Sequence, residues 1–187
     1  MLFLPPSQRR LLNSLNPLFF ILAVFTLILA KTFFYPVAPY MSHHWDILLP
    51  FVVYFGQRRS LPEGIILSLF SSHLYSLCSS APLGVFTTTY LLIFAAARLI
   101  SYVVFAGTSG SILLLMIGLS FLSRILLPVV AQFFHPAWPV VSFSNLVWWS
   151  ILLNGVAGWA VYLVLDVMDR LTHKVPRTSI ELSGDSL

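Results

Sequence analysis

The sequence predicts an all-α polytopic membrane protein, a bundle of about six transmembrane helices. Of its 187 residues, 58% are hydrophobic and only 9% are charged, whereas ordinary soluble domains carry about 25% charged residues. Six apolar runs follow one another, separated by short segments rich in Pro, Gly or Arg. Helices are favoured for these runs, because backbone groups in lipid must be satisfied within their own segment and no period-two alternation indicates a barrel.

The runs predict one transmembrane domain, residues 1–168, followed by a polar cytoplasmic tail, residues 169–187. The second run is the shortest, because its apolar part covers only 45–56. It spans the bilayer only if its helix begins near Pro39. Otherwise it is a tilted or partly inserted segment. The residues at 107–111 predict a short flexible turn. The six helices are predicted at about 17–35, 39–57, 61–80, 83–105, 112–134 and 143–167.

The basic residues predict the orientation of the bundle. If the N-terminus lies inside, the inner segments hold seven Lys and Arg residues and the outer segments hold only Lys31. Because cytoplasmic segments of membrane proteins are enriched in Lys and Arg, both termini are predicted to be cytoplasmic. The inner residues are Arg9, Arg10, Arg58, Arg59, Arg170, Lys174 and Arg177.

The composition favours a protein without catalytic chemistry, metal or other cofactor. The basic residues lie at membrane edges, which is the distribution of topology determinants and not of a nucleic-acid surface. Cys78 is the single cysteine, so no internal disulfide can form. No His, Cys and carboxylate spacing is typical of a metal site, and no nucleophile motif is present. The histidines are His43, His44, His73, His135 and His173.

The third run carries the most informative pattern, a ribbon of small side chains that recurs every four residues. On a helix this spacing produces one narrow face, which lets another helix approach closely in lipid. Two interpretations follow, packing inside the bundle or a docking face for a partner's transmembrane helix. The residues of the ribbon are Gly64, Ser68, Ser72, Ser76 and Ser80.

Polar residues inside three of the apolar runs fall at a similar depth. Arg124 lies about 20 Å from the inner end of its helix, and His73 and Asn154 come out at comparable depth. Because a charge at mid-membrane costs about 2.5 kcal/mol or more, it is expected to face the bundle interior and find partners. The hypothesis is a polar layer of Arg124, His73 and Asn154, used as a coupling site or partner contact, or as a structural clamp.

Two further charged pairs are predicted near the membrane edges. Arg98 lies about two turns from the inner end of its helix, so its guanidinium is expected to extend to the headgroups, with Asp166 as a partner. Lys31 and Asp46 fall near the outer face and could pair, although a wet interfacial pair contributes less than about 1 kcal/mol.

Two stretches of the chain resemble the rod shape-determining protein MreD family. Trp45–Arg59 is similar to the family's second segment, in which an acidic residue, aliphatics, an aromatic and a basic turn follow one another. Ser79–Phe86 resembles the Ser/Gly-rich corner of the family, and the run from Tyr90 to Arg98 also fits. The sequence departs from the family where members carry an Asp about eight residues before the corner glycine, since Ser76 occupies that position here.

The resemblance implies a non-enzymatic scaffold subunit of the bacterial cell-elongation machinery in the cell inner membrane. It implies an MreC-like single-span membrane partner, and through it a RodA-type glycosyltransferase and a class B penicillin-binding protein of peptidoglycan synthesis, together with the MreB filament. It also implies a fold similar to the S components of energy-coupling-factor transporters.

Two other function classes remain open at the level of sequence. The first is a small-molecule, vitamin-type transporter S component. Such proteins often carry an Ala-x-x-x-Ala docking motif on their first helix, whereas Ala23 and Ala30 here are seven residues apart. The second is an intramembrane enzyme of lipid or wall metabolism, for which the sequence offers no clustered acid, base or metal ligands.

Overall fold

A computed structural model describes residues 6–34, 45–79, 81–103, 109–134, 136 and 145–172 of the chain, and it is all-helical over them. Four of its helices are long and apolar enough to cross a membrane, over 14–33, 85–102, 109–134 and 148–171. The chain is therefore a membrane-embedded helical protein. The helices are α1 (Pro6–Phe34), α2 (Leu49–Arg58), α3 (Leu61–Leu77), α4 (Val85–Val103), α5 (Ser109–Phe134) and α6 (Asn145–Leu171).

The second helix is much shorter than predicted. Residues 45–48 are not helical and α2 begins at Leu49, while 39–44 lie outside the described residues. One cause is Asp46, whose carboxylate accepts hydrogen bonds from the amides of Leu48 and Leu49, each at 3.2 Å, and so caps the helix start. Pro50 in the first turn also favours a start here. With 10 residues, α2 is about 15 Å long, half the thickness of a bilayer core.

The first and last helices extend beyond their predicted ends. The α1 helix begins at Pro6 instead of residue 17, with Pro17 inside it, and α6 ends at Leu171 instead of residue 167. Both extensions contain polar residues, so helix bounds predicted from the apolar runs do not include them. Asp169, predicted to begin the polar tail, is therefore helical and only 4% exposed. Residues 173–187 of that tail lie outside the described part of the chain. The turn predicted at 107–111 ends earlier, because α5 begins at Ser109.

The short helix α2 forms the centre of the bundle. Every residue from Leu49 to Gln57 is buried, and α3, α4, α5 and α6 all pack against it. Phe20 of α1 completes the enclosure, since its ring stacks on Tyr54 with centroids 5.7 Å apart. Gly56 allows α4 to come close, because a Cβ at this position would lie 3.1 Å from the Phe94 carbonyl oxygen. The hydrophobic core of the protein is thus built around a helix that contacts the other helices on all sides.

A buried ionic cluster joins α1, α2 and α6 at the C-terminal end of α2. Arg59 is 1% exposed and donates to the carboxylate of Asp169. The same carboxylate accepts hydrogen bonds from the Asn16 amide at 3.0 Å and from the Tyr54 hydroxyl. The guanidinium carbon also lies 4.7 Å from the ring centroid of Phe20, a cation–π contact. We call these four polar residues, Asn16, Tyr54, Arg59 and Asp169, the Asp169 cluster.

Arg98 stabilises the C-terminal end of α2 and does not reach towards headgroups as predicted. It is 7% exposed, and one of its guanidinium nitrogens donates to the carbonyls of Gly56 at 3.2 Å and Arg59 at 2.6 Å. These carbonyls lie at a helix end, where no amide of the same helix satisfies them. Asp166, the predicted partner of Arg98, pairs instead with Arg58 at 3.4 Å and with Arg170.

Replacing Asp169 with Asn is expected to destabilise the bundle by about 3 kcal/mol, because Arg59 would become a buried charge without its closest counter-charge. Thermal unfolding of the purified protein in detergent measures the loss. Arg170→Gln is the matched control, since Arg170 is 79% exposed and pairs only at the surface. Equal melting temperatures for Asp169→Asn and the unmodified chain would contradict the structural role of the cluster.

Candidate functional site

A polar cavity of about 140 Å³ lies at the N-terminal end of α2, opposite the Asp169 cluster. Residues from α1, α3, α4 and α5 and from the non-helical stretch before α2 contribute to its wall. We call it the Asp46 cavity. Its lining combines two cations and one carboxylate with hydroxyls and aromatic rings, and consists of Lys31, Trp45, Asp46, Tyr75, Phe86, Thr89, Tyr90, Ser123, Arg124 and Leu127.

Asp46 connects the start of α2 to α4 and α6. Besides the bonds from the Leu48 and Leu49 amides, its carboxylate accepts a hydrogen bond from the Tyr90 hydroxyl at 2.6 Å. Its backbone amide donates to Oδ1 of Asn154 at 2.8 Å. One oxygen of this carboxylate therefore has three donors, and the amide side chain of Asn154 holds the non-helical backbone in place. Irregular backbone at membrane depth is tolerated only where protein encloses it, and these contacts meet that condition.

Lys31 lies in the cavity wall but forms different bonds from those predicted. Its ammonium donates to the carbonyl of Trp45 at 3.1 Å and to the hydroxyl of Tyr75 at 2.7 Å. Within the described residues it makes no ion pair with Asp46, although both residues line the same cavity. The predicted pair therefore corresponds to a shared cavity and not to a direct contact, because the carboxylate is turned towards α2 and Tyr90.

The predicted polar layer is present in part. Arg124 lines the Asp46 cavity, and Asn154 is buried and binds the backbone of Asp46. His73 is not part of this layer, because its side chain is exposed on the outer surface of α3. The layer therefore consists of Arg124, Asp46 and Asn154, joined by Lys31 and two tyrosines that sequence reasoning did not select. Nothing in the sequence distinguishes Tyr75 and Tyr90, because both lie within apolar runs, as core aromatic residues commonly do.

The ribbon of small residues on α3 faces the interior of the bundle. Gly64, Ser68, Ser72 and Ser76 are all buried, and Ser80 lies outside the described residues. A Cβ at Gly64 would lie 2.7 Å from the Phe94 ring and 3.1 Å from the Phe55 carbonyl, so the ribbon lets α3 approach α2 and α4. The structure thus places these four residues in internal packing contacts, where a partner's helix does not have access to them.

The outward surface of α3 has a different character. A stripe of exposed residues runs along it at helical spacing, and all but one are large and apolar. The exception is His73, one turn before the helix ends, which has no polar partner within the described part of the chain. We call this surface the outer stripe of α3, and its residues are Ile66, Leu69, Phe70, His73 and Leu77.

Replacing Gly64 with Leu is expected to destabilise the protein by about 1–3 kcal/mol, because the new side chain would collide with Phe94 and the Phe55 backbone. Gly118→Leu is the matched control. Gly118 also lies inside a helix, but a Cβ there meets nothing within 4 Å. If both variants melt at the temperature of the unmodified chain, the ribbon does not have the packing role described here.

Asp46 can be tested with two variants that separate its hydrogen bonds from its charge. Asp46→Leu is expected to cost about 2–4 kcal/mol, because the α2 start loses its cap and the Tyr90 hydroxyl loses its acceptor. Asp46→Asn keeps an acceptor oxygen, so we expect a smaller loss. Thermal unfolding in detergent measures both. Asp46→Leu as stable as the unmodified chain would show that α2 does not depend on this residue.

No family model, curated protein or solved structure matches this chain. Within the described residues, no three His, Cys, Asp or Glu side chains come together as metal ligands.

Proposed function

We propose that this protein is a non-enzymatic scaffold of the bacterial inner membrane that binds a single-span membrane protein through the outer stripe of α3. The partner is an MreC-like subunit of the cell-elongation machinery, which would connect the scaffold to a RodA-type glycosyltransferase and a class B penicillin-binding protein of peptidoglycan synthesis. The proposal combines the resemblance of Trp45–Arg59 and Ser79–Phe86 to the MreD family with the surface chemistry of α3.

The observation that carries the proposal is the outward position of His73. Apolar side chains facing lipid need no explanation, but a polar ring within a transmembrane surface normally faces the bundle or a partner. His73 lies among Ile66, Leu69, Phe70 and Leu77, so a helix that covers this stripe would bury apolar surface and offer the imidazole a hydrogen-bond partner. A single-span protein whose helix carries one polar residue near its outer end meets both requirements.

The Asp169 cluster supports the proposed orientation. The contacts of Asn16 and Arg59 with Asp169 bring α1, the turn after α2 and the end of α6 to one end of the bundle. We assign this end to the cytoplasm, because the neighbouring segments hold most of the Arg and Lys residues. The chain then makes six passes. In the second, the non-helical stretch before Leu49 continues the short α2, and α3, about 26 Å long, makes the third.

The size of the Asp46 cavity favours the scaffold over the vitamin-type transporter. Sites for drug-sized ligands usually measure about 300–1,000 Å³, whereas this cavity measures about 140 Å³. The cavity is therefore smaller than the usual site for a ligand of vitamin size, which supports the scaffold.

Capture of the partner tests the proposal. We expect a tagged, detergent-solubilised chain to retain a co-expressed MreC-like single-span protein of the same organism, and His73→Leu to reduce capture about three- to tenfold, the effect of losing one intramembrane polar contact. Phe70→Ala, on the same stripe, is expected to reduce capture as well. His73→Gln keeps a hydrogen-bonding side chain and is expected to restore part of the binding.

Leu114→Ala is the control, because Leu114 is a large exposed residue on α5, away from the stripe. All these positions are exposed, so their variants are expected to melt like the unmodified chain. The proposal is refuted if the unmodified chain captures no single-span partner. The assignment of the docking surface is refuted if His73→Leu and Phe70→Ala bind as well as Leu114→Ala.

A further inference from the structure

A second ionic cluster lies beside the Asp169 cluster, at the same end of the bundle but nearer the surface. Arg58 and Arg170 bind the two oxygens of one carboxylate, that of Asp166. Nη2 of Arg58 lies 3.4 Å from Oδ1, and Arg170 donates to Oδ2 from Nε at 3.0 Å and from Nη2 at 2.6 Å. We call Arg58, Asp166 and Arg170 the Asp166 cluster. In the proposed orientation it lies at the cytoplasmic surface of the membrane.

The shared carboxylate leaves the Asp166 cluster with one net positive charge, because it faces two guanidinium groups. The neighbouring carboxylates do not remove this excess. Asp169 is bound by Arg59, and Glu63 lies 3.5 Å from the same guanidinium, while Arg98 adds a positive charge at the carbonyl of Arg59. Among the described side chains at this end of the bundle, four arginines therefore face three carboxylates.

Both guanidinium groups of the Asp166 cluster keep donors for a ligand. Nε of Arg58 donates to the hydroxyl of Tyr162 at 3.1 Å, which fixes the position of this side chain. With the contacts to Asp166, the internal bonds use Nε and Nη2 of each guanidinium, and neither Nη1 has a partner within the described residues. The arginine side chains are 20% and 79% exposed. A phosphate could reach them, and guanidinium–phosphate hydrogen bonds are strong charge-assisted ones.

The surface of α6 next to the cluster decides which kind of phosphate fits. Exposed apolar side chains continue from Arg170 along one face of the helix for about 25 Å, close to the thickness of a bilayer core. We propose that the Asp166 cluster binds the headgroup phosphate of an anionic phospholipid such as phosphatidylglycerol, whose acyl chains lie along this face. A soluble phosphate would contact only the cluster, and a zwitterionic lipid brings a cation of its own. The apolar residues are Leu153, Val156, Leu163 and Val167.

Native mass spectrometry of the full-length purified chain in detergent, titrated with phosphatidylglycerol and with phosphatidylcholine of the same acyl chains, tests this site. We expect one phosphatidylglycerol per chain, bound about fivefold more tightly than phosphatidylcholine, the effect of one charge at a membrane surface. Arg170→Gln is expected to remove this preference. Gln132→Glu is the matched control, because it lowers the net charge equally at an exposed position near the other end of the bundle.

Asp166→Asn distinguishes a lipid site from a purely structural ion pair. It removes the shared carboxylate and raises the charge of the cluster from one to two, so phosphatidylglycerol is expected to bind about fivefold more tightly. If the cluster only joined α2 to α6, the same change would leave lipid binding unchanged or weaken it, and that result overturns the proposal.

Equal affinities for the two lipids also overturn the proposal, and so does an unchanged preference in Arg170→Gln. Displacement of the lipid by an equal concentration of inorganic phosphate would show a site for free phosphate and overturn the assignment to a lipid. The site depends on the proposed orientation but not on the single-span partner. Because the chain is titrated without that partner, failure of partner capture and failure of lipid binding are separate results.

Discussion

The structure depends on a half-length helix that is enclosed by protein on all sides. Because α2 is about 15 Å long, half the thickness of a bilayer core, at least one of its ends lies where lipid alone could not satisfy the backbone, and each unsatisfied group there costs several kcal/mol. Asp46 supplies acceptors for the first amides, and Arg98 supplies donors for the last carbonyls. The five other helices are then arranged so that their polar residues reach those two points while their apolar residues cover the sides of α2.

The two ends of α2 differ in how their charges are compensated. At the Asp169 end, Arg59 contacts Asp169 and also lies 3.5 Å from Glu63. Such a buried cluster adds little net stability, since desolvation offsets the attraction, but it determines which helix ends meet. At the Asp46 end, the carboxylate is bound through hydrogen bonds from the Leu48 and Leu49 amides and the Tyr90 hydroxyl, and it lies in a cavity wall that also includes Lys31. The first end therefore depends on an ion pair between helix ends, whereas the second depends on hydrogen bonds around a cavity.

Much of this architecture could be predicted from the sequence, because the apolar runs predict the order of the six helices that the structure describes. The ends of α1 and α6 could not, since the polar residues that extend them, such as Asp169, are helical because of tertiary contacts. Counting residues from the helix ends predicted a similar depth for Arg124, His73 and Asn154, but it gave no information about the direction in which His73 points. That direction follows from the ribbon: His73 comes directly after Ser72, and successive helical residues are rotated by about 100°. Ser71 and Ser72 both face inwards, and His73 lies about 100° beyond Ser72 and 200° beyond Ser71, which turns it towards the outside.

The rotation also relates the Asp46 cavity to the outer stripe of α3. Tyr75, in the cavity wall, and His73, on the outer stripe, lie two residues apart in the last part of α3 and are separated by about 200° around its axis. The buried ribbon lies between the two and fixes this segment against α2 and α4. Tyr75 therefore accepts a hydrogen bond from Lys31 inside the bundle, while His73 presents its ring on the outside. A partner that covers the outer stripe would therefore meet a surface whose side chains are held in place by the interior of the bundle, so that docking would require little ordering of α3.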